Sequence, residues 1–331
     1  MDPWCTAGLN RWMITHIGDS TDLTAARAGD EAAFERLVTP HRAGLLAHCY
    51  RMLGSAHDAE DALQDALLRA WRGLKSFQGR SSLRSWLYSV ATNVCLRALE
   101  RRRRRILPPD ARPAVETLWL EPFPDAGLPA DERASPEARY EERESVELAF
   151  VAALQHLPPR QRAVLVLRDV LGFAPAEIAA TLETSPAAVY SALQRAHAAV
   201  EEKAPVRSQQ ATMRSLGDRR LRELAERYVA AWEAADVGRL LALLAEDATF
   251  AMPPLPQWFR GRAAIGEFLR TGPFSRGPRW RLTLAQLNGQ LAFAYTRLDG
   301  CPHAVDVVEL DEDGRIAGIT AFLRPEEIDM P

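Results

Sequence analysis

The chain has 331 residues, 47% of them hydrophobic, and a formal net charge of −3; this length predicts two or three compact units with cores of their own. Its four cysteines, Cys5, Cys49, Cys95 and Cys301, form no CxxC pair, so we expect neither a disulfide framework nor a metal site. No apolar run is long enough to span a bilayer and no signal peptide is recognisable, which together predict a cytoplasmic protein.

The small net charge results in part from two blocks of opposite charge. Residues 97–105 contain six arginines and one glutamate, whereas residues 116–147 contain ten acidic residues and three arginines. This distribution indicates a polyanion-binding surface beside a segment that could imitate a polyanion.

Residues 1–20 show no periodicity and are predicted to be a disordered leader, within which Met13 is an alternative start. From 21 to 106 apolar residues recur at three- and four-residue steps, which predicts three helices. Gly54-Ser55 ends the first helix, and Asp58 is expected to cap the second. A loop, Lys75 to Ser82, precedes the third.

Three features of this first unit are candidates for function. On the second helix Asp58, Asp61 and Asp65 lie within about 60° of one another, opposite the apolar face, and could dock on a basic partner; solvation with an Asp65–Arg69 pair is the alternative. The loop after it presents an aromatic and polar groups that suit capture of an unstacked base. The arginine run suits phosphate contact, and a solvated tail is its alternative.

Residues 107–138 are rich in proline and acidic residues and read as an extended linker. Helices resume over 139–204 and include a helix-turn-helix pattern: a short helix from Pro175, a tight turn, and a second helix that starts at Pro186. Val189, Leu193 and Ala196 pack this helix down, so that its outward residues could enter a major groove. An ordinary helical hairpin is an equal alternative on this pattern alone.

A polar linker is predicted over 205–215, and the pattern then changes. Residues 216–331 combine an amphipathic helix with five strand-like runs, joined in part by turn signals at Asn288-Gly289, Asp299-Gly300 and Asp313-Gly314. These features predict a helix packed on an antiparallel sheet.

The order of these parts resembles extracytoplasmic-function sigma factors of the sigma-70 family over residues 22–204. The resemblance rests on DAEDALQDALLRAWRGLKSFQGRSSLRSWLYSVATNVCLRALERRRRR (58–105) and LPPRQRAVLVLRDVLGFAPAEIAATLETSPAAVYSALQRAHAAV (157–200). The Trp119-Leu120-Glu121-Pro122 segment and the last unit are similar to the subgroup with a SnoaL-like domain. The resemblance therefore implies a multi-domain protein: two all-α sigma-factor domains, the second a helix-turn-helix, followed by an α+β, cone-shaped SnoaL-like domain.

The resemblance also implies roles for particular residues. Contact with the core RNA polymerase, at the clamp of its largest subunit, falls to Asp58, Asp61, Gln64 and Asp65, while the second sigma domain meets the flap of the second-largest subunit. Contact with the -10 element of promoter DNA falls to Phe77, Gln78, Arg80, Ser81, Asn93, Arg97, Arg101 and Arg102. Contact with the -35 element falls to Ser185, Ala187, Ala188, Tyr190, Ser191, Gln194 and Arg195. The acidic linker matches the stretch that threads toward the polymerase active-site channel.

The recognition helix departs from many relatives, since Tyr190, Ala192 and His197 stand where cations are common. Arg195 is the one strong cation between residues 186 and 200. Because phosphate contacts supply much of the affinity for DNA, we expect weak autonomous binding to the -35 element.

Some SnoaL-like domains are enzymes that use an Asp or His as a general base, and the candidates here are Asp247, Asp299, His303 and Asp306. Sequence spacing does not show that they converge on one cavity, so we favour a non-catalytic regulatory domain without a cofactor, and with room for a small ligand. A stand-alone helix-turn-helix regulator and a small-molecule enzyme are the alternatives. The 58–105 unit argues against the first, and turnover by the 216–331 fragment would indicate the second.

Overall fold

The computed structural model describes residues 21–105, 120–128, 143–202, 207–253 and 258–324. The predicted leader 1–20, Trp119 and most of the predicted linker 107–138 lie outside the described residues, as do the side chains of 102–105. Within the described ranges, no helix combines the length and apolarity needed to cross a membrane.

The first unit contains the three predicted helices, α1 (Glu31–Leu53), α2 (Ala56–Gly73) and α3 (Leu83–Arg105), after a helical stretch at 21–27. Helix α1 ends at Gly54, whose φ of 76° is the left-handed conformation that favours glycine. The cap of α2 differs from our prediction: the Ser55 hydroxyl, rather than Asp58, accepts the hydrogen bond, from the Asp58 amide at 3.0 Å.

The described part of the second unit includes four named helices, and the last two form the predicted helix-turn-helix. They are α4 (Leu148–Gln155), α5 (Pro159–Leu165, continued by a π turn at Val166–Val170), α6 (Pro175–Thr181) and α7 (Pro186–Glu201). Apolar side chains of this unit and of the first join one hydrophobic core. Buried Arg162 of α5 donates to the Met52 carbonyl at the end of α1, so a charged hydrogen bond also joins the two units.

The third unit packs a long helix on a six-stranded sheet. The helices are α8 (Gln209–Glu233), α9 (Val237–Leu241) and α10 (Arg262–Thr271). The strands are β1 (Leu244–Ala251), β2 (Trp258–Arg260), β3 (Trp280–Leu287), β4 (Gln290–Arg297), β5 (Pro302–Leu310) and β6 (Ile316–Leu323), in the spatial order β2-β1-β6-β5-β4-β3.

Two predictions for this unit need correction. Helix α8 begins inside the predicted linker 205–215 and is kinked at Gly217, where φ is 76° and ψ is 155°. The sheet is mixed rather than antiparallel, because β1 pairs with β6 in parallel and the other pairs are antiparallel. The core lies between α8 and the sheet, where the Tyr228 ring stacks on Phe293 with centroids 4.3 Å apart.

The turn between β3 and β4 is the predicted Asn288-Gly289 hairpin. Both residues have positive φ, 56° and 66°, as a two-residue turn of this kind requires. Asn288 is nevertheless fully buried, which is unusual for a hairpin tip and places it against another part of the chain.

Candidate polymerase and promoter interfaces

The acidic face of α2 has the predicted orientation. Asp61 and Gln64 are exposed, and Asp58 and Asp65 are half-buried. The Asp65 carboxylate pairs with Arg69 at 3.0 Å, the interaction that we considered as an alternative. A surface ion pair of this kind contributes little free energy, so it leaves the carboxylate able to exchange partners.

An apolar residue that our sequence reasoning missed lies at the carboxyl-terminal end of this face. Leu68 is 54% exposed and follows Asp61 and Asp65 by seven and three residues, which puts it on their side of the helix. Its position on the exposed stripe was the available signal. A single exposed leucine is common on protein surfaces; here it adds an apolar side chain to the acidic face.

The loop after α2 corrects one prediction. Phe77 was expected to be exposed, but its side chain is 8% exposed and its ring lies 5.0 Å from that of Trp86. Arg27 donates to the Phe77 carbonyl, and its guanidinium lies 5.8 Å from the Phe77 ring centroid. Burial of the Phe77 ring is favourable because it removes apolar surface from water. The other predicted contacts of the loop, Gln78, Arg80 and Ser81, are exposed.

Helix α3 carries the other predicted -10 contacts. Arg97 and Arg101 are exposed, whereas the Asn93 side-chain amide is half-buried and donates to the Ser89 carbonyl at 3.0 Å. The side chain of Arg102 lies outside the described residues. The exposed cations thus form the end of the helix that continues into the arginine run.

The recognition helix α7 presents the predicted residues to solvent. All the predicted -35 contacts are exposed, namely Ser185, Ala187, Ala188, Tyr190, Ser191, Gln194 and Arg195. The Ser185 hydroxyl caps the helix by accepting from the Ala188 amide at 3.2 Å. His197, which stands at a position where relatives carry cations, lies 2.6 Å from an Asp169 carboxylate oxygen. The ring nitrogen of His197 is therefore engaged by a local carboxylate.

The two helical units touch each other through residues near these surfaces. The Ser85 hydroxyl of α3 donates to a Glu177 carboxylate oxygen of α6 at 2.6 Å. Arg84 donates to the Leu171 carbonyl at 3.0 Å, and its guanidinium lies 4.6 Å from the Phe173 ring centroid. The helix that carries the -10 candidates thus packs directly against the first helix of the helix-turn-helix.

The described part of the acidic linker, 120–128, is held against the first unit. A Glu121 carboxylate oxygen accepts from the Ser55 hydroxyl at 2.8 Å and from the His57 amide at 3.1 Å, so Glu121 adds to the cap of α2. The Tyr50 hydroxyl donates to the Glu121 carbonyl at 2.9 Å.

The hairpin tip of the third unit closes over this linker, and we call this contact the Asn288 clasp. The Asn288 Nδ2 donates to the Tyr50 hydroxyl at 2.7 Å and to the Val146 carbonyl at 2.8 Å, and its Oδ1 accepts from the Phe123 amide at 2.9 Å. The next residue, Gly289, donates its backbone N–H to Asp125 at 2.8 Å. The Asn288 side chain therefore uses both its amide nitrogen and its oxygen to join helix α1, the linker and the segment before α4.

A buried carboxylate reinforces the same junction. Glu147, at the start of α4, accepts from the backbone amides of Gln209 and Gln210 at 2.9 and 2.7 Å. Burial raises the pKa of Glu147 to about 7, although these two hydrogen bonds oppose the shift. Its oxygens cap the amino end of α8, where a negative charge is favourable.

A cavity of 480 Å³ opens beside the clasp, between α8, the β3–β4 hairpin and the linker. Its volume is that of a small-molecule site. The lining is apolar where Leu221, Leu284 and Leu291 contribute, and charged at Arg143 and Arg222.

The four candidate general bases do not converge. Asp299 is exposed in its turn and Asp247 lies 4.0 Å from Arg260 at the surface. His303 stacks on Trp280 with centroids 4.2 Å apart. Asp306 is buried and accepts hydrogen bonds from the hydroxyls of Tyr228, at 2.7 Å, and Tyr295; burial raises its pKa to about 7.

Comparison with known proteins agrees with these three units. The family model for sigma-70 region 2 matches residues 37–105, that for sigma-70 region 4 matches 147–200, and that for the SnoaL-like domain matches 225–319. The ECF RNA polymerase sigma factor SigG of Mycobacterium tuberculosis is 44% identical over 322 residues, covering 90% of this chain and 85% of SigG. The Pseudomonas aeruginosa sigma-H factor is 30% identical over 190 residues, covering 57% of this chain and 95% of that factor.

A solved structure extends the similarity to the whole arrangement. The crystal structure of the M. tuberculosis extracytoplasmic-function sigma factor SigJ is similar with a TM-score of 0.57 and 26% identity, covering 87% of this chain and 95% of SigJ. The chain thus binds core RNA polymerase and promoter DNA, and directs transcription initiation. It belongs to the ECF RNA polymerase sigma factors, with a SnoaL-like domain after the two sigma domains.

Proposed function

We propose that this sigma factor is held in a closed state by its SnoaL-like domain and opens when it joins core polymerase. In the open state the acidic face of α2, with Leu68 as its apolar anchor, docks on the clamp of the largest subunit, and the second sigma domain meets the flap of the second-largest subunit. An apolar contact surrounded by polar groups is the usual composition of a high-affinity patch.

Promoter contact is then divided between the two sigma domains. The contacts with the -10 element come from Gln78, Arg80, Ser81, Asn93, Arg97, Arg101 and Arg102. The contacts with the -35 element come from Ser185, Ala187, Ala188, Tyr190, Ser191, Gln194 and Arg195. Phe77 takes part only through its backbone or after leaving its pocket, because its ring packs against Trp86.

The contact between Ser85 and Glu177 is the observation that carries the proposal of a closed state. The two promoter elements are about 25 base pairs apart, or about 85 Å at 3.4 Å per base pair. Along the chain, Arg101 is about 24 Å from Ser85, and Arg195 is at most about 36 Å from Glu177. The path from Arg101 to Arg195 through the Ser85–Glu177 contact is therefore shorter than the distance between the two elements. We infer that the closed molecule cannot contact both elements at once and that the two sigma domains separate on the promoter.

The Asn288 clasp is the proposed means of restraint. It ties the linker to α1 and to the start of α4, so the two sigma domains cannot part without breaking buried hydrogen bonds. Each buried group left without a partner costs about 1–3 kcal/mol, which is the size of a typical regulatory coupling.

We further propose that the SnoaL-like domain is not an enzyme. Its candidate bases are dispersed, and Asp306 is engaged by two tyrosine hydroxyls within the core. A small ligand in the 480 Å³ cavity beside the clasp would bias the closed state, since the cavity wall includes Asp125 and Arg143 next to the linker. The protein acts in the cytoplasm, where its polymerase is.

The proposal is tested by placing donor and acceptor dyes on α3 and α7 and titrating the full chain with core polymerase. We expect a short dye separation in the free protein and a long one in the holoenzyme. An equally long separation in both would refute the closed state. Absence of turnover in the full chain, tested on ketosteroid and epoxide probes, is the expected result for the non-catalytic role.

A further inference from the structure

The SnoaL-like domain carries a cluster of arginines that neither the sigma modules nor the clasp use. Residues 276–298 contain four arginines and no acidic residue, although acidic residues outnumber arginines 17 to 14 over 216–331. We call Arg276, Arg279, Arg281 and Arg297 the basic patch. Local segregation of charge against the overall balance of a domain is the usual mark of a binding surface for polyanions.

The basic patch lies at the end of the β3–β4 hairpin opposite the Asn288 turn. Trp280 pairs with Arg297 across the two strands, so these two side chains share a face, whereas Arg281, which pairs with Thr296, lies on the other face. Because β3 is the edge strand of the sheet, the arginines flank one edge from both faces. The strands are eight residues long, so the patch is about 26 Å from the clasp. A macromolecule bound there would leave the clasp free to act.

Aromatic and apolar surface adjoins the arginines. The Arg279 guanidinium lies 5.8 Å from the Trp280 ring centroid, and Leu298 is 66% exposed. A shallow cavity of 240 Å³ is lined by Arg279, Trp280, Arg297, Leu298 and Asp299. Two arginines that line one cavity suit contact with phosphate groups of nucleic acid.

The charges of the patch are largely uncompensated. Arg297 lies 3.3 Å from Asp299, but within the described residues Arg276, Arg279 and Arg281 have no carboxylate at ion-pair distance. Elsewhere in the same domain, Arg239, Arg260 and Arg270 each lie within 4.0 Å of an acidic side chain, at 3.2, 4.0 and 3.0 Å. The patch thus gathers Arg276, Arg279 and Arg281 within residues 276–281, and cations without a carboxylate partner attract phosphate more strongly than paired ones.

We infer that the basic patch binds the phosphate backbone of promoter duplex DNA and supplies affinity that the recognition helix lacks. Arg195 is the one strong cation of that helix, and His197 is engaged by Asp169. Phosphate contacts set much of the affinity for DNA irrespective of sequence, so they need not come from the domain that reads the bases. This inference rests on the proposed promoter contact of the second sigma domain.

The test compares two triple variants of the full chain with the same loss of charge. One is Arg276→Gln, Arg279→Gln, Arg281→Gln in the patch; the matched control is Arg239→Gln, Arg260→Gln, Arg270→Gln. Holoenzyme binding to a fluorescein-labelled duplex of mixed sequence is measured by anisotropy over a range of salt concentrations. The patch variant is expected to lose about tenfold in affinity, and its salt slope is expected to fall by about 2–3, while the control stays near wild type.

Core polymerase binding is measured in parallel, by competition with labelled wild-type protein. Equal affinities and slopes for the two variants, whether unchanged or equally reduced, would overturn the inference, because the effect would then be absent or due to net charge. A patch variant that loses affinity for core polymerase but keeps its affinity for the duplex would also overturn it, in favour of an acidic protein surface. Failure of the wild-type chain to bind core polymerase would instead contradict its assignment as a sigma factor.

Discussion

The side-chain amide of Asn288 donates a hydrogen bond of 2.7 Å to the hydroxyl of Tyr50, a residue 238 positions earlier in the chain. Replacement of Asn288 by glycine keeps the positive φ of the turn at no steric cost and removes only the side chain. We expect Asn288→Gly to lower the free energy of unfolding by about 2–3 kcal/mol, because buried groups of Phe123 and Val146 lose their partners. We also expect tighter binding to core polymerase, measured by titration.

Tyr50→Phe is the graded control for this variant. It removes the hydroxyl that contacts Asn288 and the Glu121 carbonyl but leaves the contacts of Asn288 with Phe123 and Val146. Its effect on polymerase affinity should have the same sign and a smaller size. Tighter binding by the phenylalanine variant than by the glycine variant would contradict the clasp.

Leu68→Ala should weaken binding to core polymerase without unfolding the protein. Leu68 is 54% exposed, so little packing is lost in the free chain, whereas an apolar anchor in an interface contributes about 1–3 kcal/mol, or about tenfold to a hundredfold in affinity. Leu298→Ala is the matched control, since Leu298 is 66% exposed in the other domain. Equal affinities for the two variants would remove Leu68 from the interface.

Arg84→Ala should favour separation of the two sigma domains. It deletes the hydrogen bond to the Leu171 carbonyl and the contacts with the rings of Tyr88 and Phe173. Cation–π and exposed hydrogen bonds together contribute about 1–2 kcal/mol. Dyes on α3 and α7 should report a larger separation in the free variant than in the free wild type; an unchanged separation would mean that this contact does not hold the closed state.

The part of the protein's stability that depends on Glu147 and Asp306 should fall as the pH rises from about 4.5 to above 7. Burial raises the pKa of Glu147 and of Asp306 to about 7, so the native state binds protons that the unfolded chain releases at lower pH. The resulting stabilisation is complete below the unfolded pKa values and is lost as the pH passes through 7. Chemical denaturation across this range checks it. Relative to the wild type, Asp306→Asn should lose part of this fall, and an identical pH dependence of the two proteins would contradict the assignment.

Much of the helical part follows from short-range patterns in the sequence. Apolar residues at steps of three and four predicted α1, α2 and α3, and the outward residues of α7 followed from Val189 and Ala196 on its buried side. Residue pairs that signal turns placed most of the strands, because Asn288-Gly289 fixes a two-residue hairpin locally.

The remaining features depend on contacts between distant segments, which no local pattern encodes. The parallel pairing of β1 with β6 joins residues some 70 positions apart, and β2, with three residues, is too short to show alternation. Phe77 looked like an exposed loop aromatic, but Trp86 covers it. The clasp could not be predicted for the same reason, since a turn signal at Asn288 does not identify Tyr50 as its partner.

The position of Asn288 late in the chain sets an order of events during synthesis. Both sigma domains leave the ribosome before the β3–β4 hairpin exists, so a nascent chain can fold its promoter-reading parts before anything restrains them. A product shortened by premature termination after the second sigma domain keeps both sigma domains and loses Asn288. Such fragments would lack the proposed restraint, so we expect them to bind core polymerase more tightly than the full chain does.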